Sequence, residues 1–249
     1  MLKSEGIVLK EVRYKDTSKI LTIYTKEHGK IAVMARGAYR ANSQLMSTTQ
    51  VFAYGEYHFN MGRGLIYLNQ ADLINSFYSI RETMDRVIYG YYMLELVEKS
   101  LPDEQENQKI FLLLEKGLRV LSNLNKDFLK FIIAYELKFV SFLGYKPNIE
   151  RCVSCNSLKS ENVKFSISQG GIICSDCFNI DPFAIYLNSE TYETMHKLLY
   201  IPLEEVGEVT SSNVSLDKLH EIIVRYILRN IDRKKFNSLK LMEDFDSGK

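Results

Sequence analysis

Residues 6–45 read GIVLKEVRYKDTSKILTIYTKEHGKIAVMARGAYRANSQL, and the reading of this stretch decides the fold of the first third of the chain. Gly6–Lys10 is a short β-rich run, and Ile20–Thr25 is a second. Both are of strand length and are bounded by turn residues. His28-Gly29 supplies a tight turn, because glycine tolerates the positive φ that a hairpin requires. Lys30–Ala35 returns from it. Outward from this core, a long connection from Gly37 to Gln50 leads to a longer strand, Val51–Met61, with Tyr57 and Phe59 on one face. Gly62-Arg63-Gly64 then turns the chain into Leu65–Leu68. Five strands with a long third connection predict a small closed barrel of OB type, and an SH3-like barrel fits the same pattern nearly as well.

From about residue 80 the apolar period changes from two to between three and four. Met84, Val87, Ile88, Tyr91, Leu94, Val97 and Leu101 mark one face of a helix. Pro102 ends it, because proline lacks an N–H and blocks the preceding turn. A second stripe runs from Ile110 to Leu121, and a third from Phe128 to Phe142 with Gly144 as its C-terminal cap. Two further helices are expected over roughly 189–200 and 216–235, the latter with Ser215 as N-cap. Glu243 to Lys249 is expected to fray. The fold class is therefore α+β: a barrel over 1–79, a helical domain over 80–148 and 181–249, and a cysteine module over 149–180.

All four cysteines lie within residues 152–177. Cys152-Val153-Ser154-Cys155 and Cys174-Ser175-Asp176-Cys177 are two CxxC knuckles separated by eighteen residues. Between them, Val163–Ser168 and Ile172-Ile173 flank Gln169-Gly170-Gly171, a hairpin that brings the knuckles together. Four thiolates satisfy a tetrahedral structural Zn²⁺, one per chain, and iron suits the same donors. A closed four-sulfur site leaves no position for a substrate, so the metal's work is to fold a segment too short to fold alone.

The net charge is +1, from 32 basic and 31 acidic residues, but its distribution is uneven. Residues 1–80 hold ten Lys/Arg against six Asp/Glu, and residues 215–240 hold seven against three. Lys10, Arg13, Tyr14, Lys15 and Lys19 form one basic-aromatic cluster; Arg36, Tyr39 and Arg40 form another. On the loops of a small barrel, such cations neutralise phosphates and such rings stack on bases. A solubilising rim is the competing reading. Tyr24, Phe59 and Tyr67 read as core. Arg225 and Arg229, with Lys218, share a helix face and offer an auxiliary DNA site.

No phosphate-binding G-x-x-x-x-G-K-[ST], no G-x-G-x-x-G and no H-E-x-x-H occurs, and the four histidines are scattered, which argues against an enzyme. No apolar stretch approaches the ~20 residues that span a bilayer, and the N-terminus lacks a signal-peptide core. The expected location is cytoplasmic and nucleoid-associated, without membrane contact.

Several segments together resemble the bacterial recombination mediator RecO family: Gly6 to Leu45, GRGLIYLNQADLINSFYSIRE (Gly62 to Glu82), YYMLELVEKSLPDEQENQKIFLLL (Tyr91 to Leu114), FLGYKPNIERCVSCN (Phe142 to Asn156) and GGIICSDC (Gly170 to Cys177). Their order and spacing, over residues of about 5 to 235, carry the resemblance. It implies an OB fold, a helical domain with an inserted zinc module, binding of single- and double-stranded DNA, and annealing of complementary strands. It also implies a complex with RecR, contact with the tail of single-stranded DNA-binding protein (SSB), and help in loading RecA. The SSB tail is an acidic peptide ending in an apolar residue. A dock for it is expected at Phe128, Phe131 and Tyr135 with Lys130 and Lys138 at the rim, although a ring stripe at helical spacing also reads as core. The readings from other classes are a zinc-ribbon protein–protein scaffold or transcription-type factor, and a metal-dependent nuclease.

Overall fold

The computed structural model describes residues 2–62, 64–158, 162–233 and 235–246. Five strands come first: β1 Leu2–Tyr14, β2 Ser18–Thr25, β3 Gly29–Ala35, β4 Tyr54–Met61 and β5 Ile66–Asn75. They close into a barrel of order β1-β2-β3-β5-β4. β1 is long because it serves two neighbours: Leu2–Ile7 pair with β4, and Gly6–Tyr14 pair with β2. A register shift between Val8 and Lys10 bends the strand where it changes partner. The parallel β3–β5 junction completes the closure and selects the OB-type arrangement over the SH3-like one. Val8, Leu21, Ile23, Val33, Tyr57 and Phe59 fill the interior at 0–1 % exposure, as the alternation of each strand requires. The turn between Gly62 and Gly64 has its central residue, Arg63, outside the described residues.

The chain groups into two compact units, residues 1–123 with 236–249, and residues 124–235. The first contains the barrel, α1 (Met84–Ser100), α2 (Gln108–Leu121) and α6 (Asn237–Asp246). Thr83 caps α1 by accepting from the Arg86 N–H, and Asn107 caps α2 through the Ile110 N–H. Phe111 on α2 packs against Tyr24, whose hydroxyl donates to the Asn107 carbonyl at 3.0 Å. Gly29, at φ +64°, makes the hairpin turn and leaves room for the backbone of Gln105, which any Cβ there would strike.

The sixth helix is an addition to the elements legible in the sequence. Phe236 stands edge-on to Tyr92, with ring centroids 5.7 Å apart. The carboxylate of Glu95 on α1 accepts from the N–H groups of Asn237 and Ser238 at 2.8 and 2.7 Å. Its N-terminus is therefore capped from another element. The helix runs to Asp246, so the fraying expected from Glu243 does not hold for the backbone of 243–246; residues 247–249 lie outside the described residues.

The second unit holds α3 (Phe128–Phe142), α4 (Ser189–Tyr200), α5 (Asn213–Asn230) and a three-stranded sheet of order β7-β6-β8, with β6 Val163–Ser166, β7 Gly171–Cys174 and β8 Ile185–Leu187. Phe131, Tyr135 and Phe139 of α3 are fully buried. Phe165 on β6 meets Tyr226 on α5 edge to face at 5.5 Å. Gly144 follows α3 at φ +97°, the expected left-handed cap. α5 begins before the expected start. Ser212 is its N-cap, and Ser215 is instead buried with its hydroxyl donating to Glu190. Among the described residues no helix is long and apolar enough to cross a membrane.

Candidate metal centre and nucleic-acid interface

The two knuckles are local structures docked on one hairpin. In the first, the Asn156 N–H donates to the Cys152 carbonyl, with Asn156 in the left-handed region at φ +60°. The Val153 N–H donates to the Ile172 carbonyl, which ties that knuckle to β7. Asn148 brackets the same strand: its N–H donates to Gly170 and its carbonyl accepts from Ile172. Gly171 permits this approach, because a Cβ there would collide with the Asn148 carbonyl and Val153. Cys174 ends β7 opposite Val163, and a 3-10 turn, Ser175–Ile180, carries Cys177.

The four sulfurs lie within 4.8 Å of one another, and Cys155 Sγ is 3.6 Å from Cys174 Sγ. Tetrahedral Zn–S bonds of ~2.3 Å require sulfurs about 3.8 Å apart, so this arrangement suits a single ion. Cys152, Cys174 and Cys177 are buried and Cys155 is exposed. Burial opposes ionisation of Cys152, but N–H groups of Cys155, Cys174 and Ser154 outweigh it and bring its thiol down to about 6. Cys177 gains a lowering hydrogen bond from Ser154, yet burial and the three neighbouring sulfurs push it up to about 12. Thiolates this close repel one another, and a dication is the counter-charge that would let all four ionise.

The barrel brings together clusters that stand some twenty residues apart in the chain. The Tyr39 N–H donates to the Thr17 carbonyl at 2.9 Å, which pins the connection after β3 to the β1–β2 turn. Tyr39 is 42 % exposed, with the Arg13 guanidinium 5.6 Å and the Lys19 ammonium 4.6 Å from its ring centroid. Lys15, in the left-handed conformation at the turn, reaches over Tyr14 at 5.4 Å. Arg36 lies 4.4 Å over Tyr67, and Arg40 is exposed beside Gly37. Tyr67 is half-buried and carries a cation on its face, so the core reading holds for Tyr24 and Phe59 but not for this ring. Its pairing with Arg36 is hidden in the sequence because the two meet only through the parallel β3–β5 junction.

Two members of the expected DNA set are placed differently. Lys10 is exposed but faces a cleft lined by Glu11, Val51, Tyr91, Glu95 and Glu98, where carboxylates weaken its attraction for a phosphate. Lys19 is 4 % exposed and donates to Glu11 Oε2 at 2.7 Å and the Thr49 carbonyl at 3.1 Å. It supports Tyr39 from beneath rather than meeting solvent. Lys19→Met is therefore expected to cost the barrel about 1–3 kcal/mol, read as a lower urea midpoint, because Glu11 and Thr49 lose their donor in a largely dry setting. An unchanged midpoint would contradict this role.

On α5, Arg225 is exposed and pairs with Glu221 at 3.3 Å, a solvated i,i+4 pair that a phosphate can displace, and Arg229 lies one turn on. The third helix differs from expectation. Lys130 pairs with Asp127 at 2.8 Å, and Lys138 donates to the Leu198 and Leu199 carbonyls at the end of α4. Phe131 and Tyr135 are fully buried, so the apolar floor expected of a tail-binding groove belongs to the helix packing.

The chain thus joins an OB-type barrel with ring-and-cation loops to a helical unit that carries a four-cysteine centre. Residues 1–77 match the family model described as recombination protein O N terminal, and residues 81–240 match recombination protein O C terminal. The chain is 35 % identical over 241 residues to the DNA repair protein RecO of Alkaliphilus metalliredigens, covering 97 % of this chain and 98 % of that protein. It is 36 % identical over 227 residues to DNA repair protein RecO of Bacillus pumilus, and 34 % identical over 227 to that of Bacillus subtilis, each covering 91 % of this chain and 88 % of the relative. The chain belongs to the RecO family.

Proposed function

We propose that the chain binds single- and double-stranded DNA through the loops of its barrel and anneals complementary strands. Together with RecR it helps to load RecA onto SSB-coated single strands, in the cytoplasm and at the nucleoid. The carrying observation is Tyr39, exposed and flanked by Arg13 and Lys19, with the Lys15–Tyr14 and Arg36–Tyr67 pairs beside it. Rings offer stacking faces to any base, and cations neutralise the phosphates between them. Neutralised, splayed strands meet at lower electrostatic cost, which is what annealing requires and needs no covalent chemistry. The partners are those the family resemblance implies. The SSB tail docks elsewhere than at Lys130 and Lys138, which already serve the fold. The four cysteines hold one structural Zn²⁺.

The test is annealing of two complementary oligonucleotides, bare and SSB-coated, followed by fluorescence quenching. The protein is expected to accelerate both. Failure to accelerate bare strands would remove annealing from the reading. Acceleration of bare strands alone would remove recruitment by SSB.

A further inference from the structure

A row of rings and ammonium groups crosses one face of the β7-β6-β8 sheet, and neither the cysteine centre nor the barrel interface uses it. Lys164 stands opposite Tyr186 in the β6–β8 register, so the two share a face. The Lys164 ammonium lies 4.5 Å over the ring centroid of Phe178, which packs on the cysteine cluster. On the other side, Lys218 of α5 places its ammonium 5.9 Å over Tyr186. The order along the surface is thus ring, cation, ring, cation. Tyr186 is 47 % exposed, and its hydroxyl donates to Asn162 Oδ1 at 3.3 Å, which fixes the ring's outer edge. Among the described residues neither Lys164 nor Lys218 has a carboxylate within ion-pair distance.

Phe183 lies three residues before Tyr186, in the turn that leads into β8. It is 89 % exposed, the most exposed of the large hydrophobic residues described. Its exposure is built in: the buried carboxylate of Asp181 accepts from the Ser166 and Ser168 hydroxyls at 2.5 and 2.9 Å and from the Phe183 N–H at 2.9 Å. That carboxylate anchors the backbone of the turn from which the exposed ring projects. Along α5, Arg225 follows Lys218 by two turns on the same face and continues the cationic line.

We propose that this row is a second single-strand nucleic-acid platform. Bases stack on Tyr186 and Phe183, while Lys164 and Lys218 swing from the rings to the phosphates. The occupant follows from the pattern: a single strand alternates flat π faces with anions, and this surface alternates flat π faces with cations. A purely apolar partner would leave both ammonium groups unmatched. The proposal rests on the reading of the chain as a DNA-binding protein and assigns to its second compact unit a nucleic-acid contact of its own.

The experiment measures anisotropy of a labelled thymidine oligonucleotide and of an abasic oligonucleotide of the same length, which keeps the phosphates and removes the stacking. Phe183→Ala with Tyr186→Ala is expected to lower affinity for the thymidine strand about tenfold or more and to leave abasic binding unchanged. Tyr186→Phe keeps the ring and is expected to bind as the parent does. Lys164→Gln with Lys218→Gln, surface changes that spare the packing, is expected to weaken both oligonucleotides and flatten the salt dependence. Metal content and circular dichroism identify any variant that has lost its fold, and the lysine pair then decides. Parental binding by both double variants, alongside loss in a barrel variant, would overturn the platform and leave DNA binding standing. A parent protein that binds neither oligonucleotide would overturn both.

Discussion

Cys174→Ser is expected to lose stoichiometric zinc and, with it, the amide protection of residues 148–187, while the barrel strands exchange as in the parent. The effect is large because the ion's binding energy is the module's folding energy, roughly 10–16 kcal/mol for structural zinc sites in small peptides. The sheet has strands of only four, four and three residues. Strands this short bury little apolar surface of their own, so the centre carries much of the module's stability. Cys174 stands at the junction: it ends β7, pairs with Val163, and donates its N–H to Cys152 Sγ at 3.4 Å. Elemental analysis with hydrogen exchange by mass spectrometry reads both effects. Full metal retention, or loss of protection spread evenly over the chain, would oppose the account.

Reversing charge at Arg13, Lys15, Arg36 and Arg40 together is expected to reduce single-strand affinity by at least about a hundredfold at low salt. The log–log salt slope should flatten by up to ~0.7 for each phosphate no longer neutralised, roughly 3 for four phosphates. Lys19 is left out, since its ammonium is buried against Glu11. All four chosen side chains are exposed, and the ring interactions that Arg13 and Arg36 give up are worth about 0.5–1 kcal/mol each. The variant should therefore still unfold cooperatively in urea. Binding as tight as the parent's would move the main site off the barrel.

What is legible in the sequence follows from the range of the interactions involved. The barrel strands and α1 to α4 are visible because apolar alternation and helical period are local properties. The knuckles are visible because each CxxC is a local turn. β5 reads from sequence as ending at Leu68 but runs to Asn75, because after Leu68 its residues are mostly exposed and show no alternation. β8 is three residues long and exists by pairing with β6. α6 depends on a cap from Glu95, 142 residues before Asn237. The cationic residues hardest to read are those whose partners are distant: Lys19 with Thr49, and Lys138 with the end of α4. A basic residue in sequence does not disclose whether its charge faces water or a carbonyl. The tyrosines between the cations are easier, since exposed rings beside Arg13 and Lys15 follow from a turn at the end of β1.

The central claim is that the barrel holds single strands by charge and stacking without reacting with them. Its most direct test is one titration: a labelled single-stranded oligonucleotide with the zinc-loaded protein, from about 50 to 200 mM salt, with Mg²⁺ present throughout. The account predicts sequence-tolerant binding that weakens linearly on a log–log plot, with a slope of several units, and an oligonucleotide recovered intact. Binding that ignores salt, or cleavage of the oligonucleotide, would contradict it.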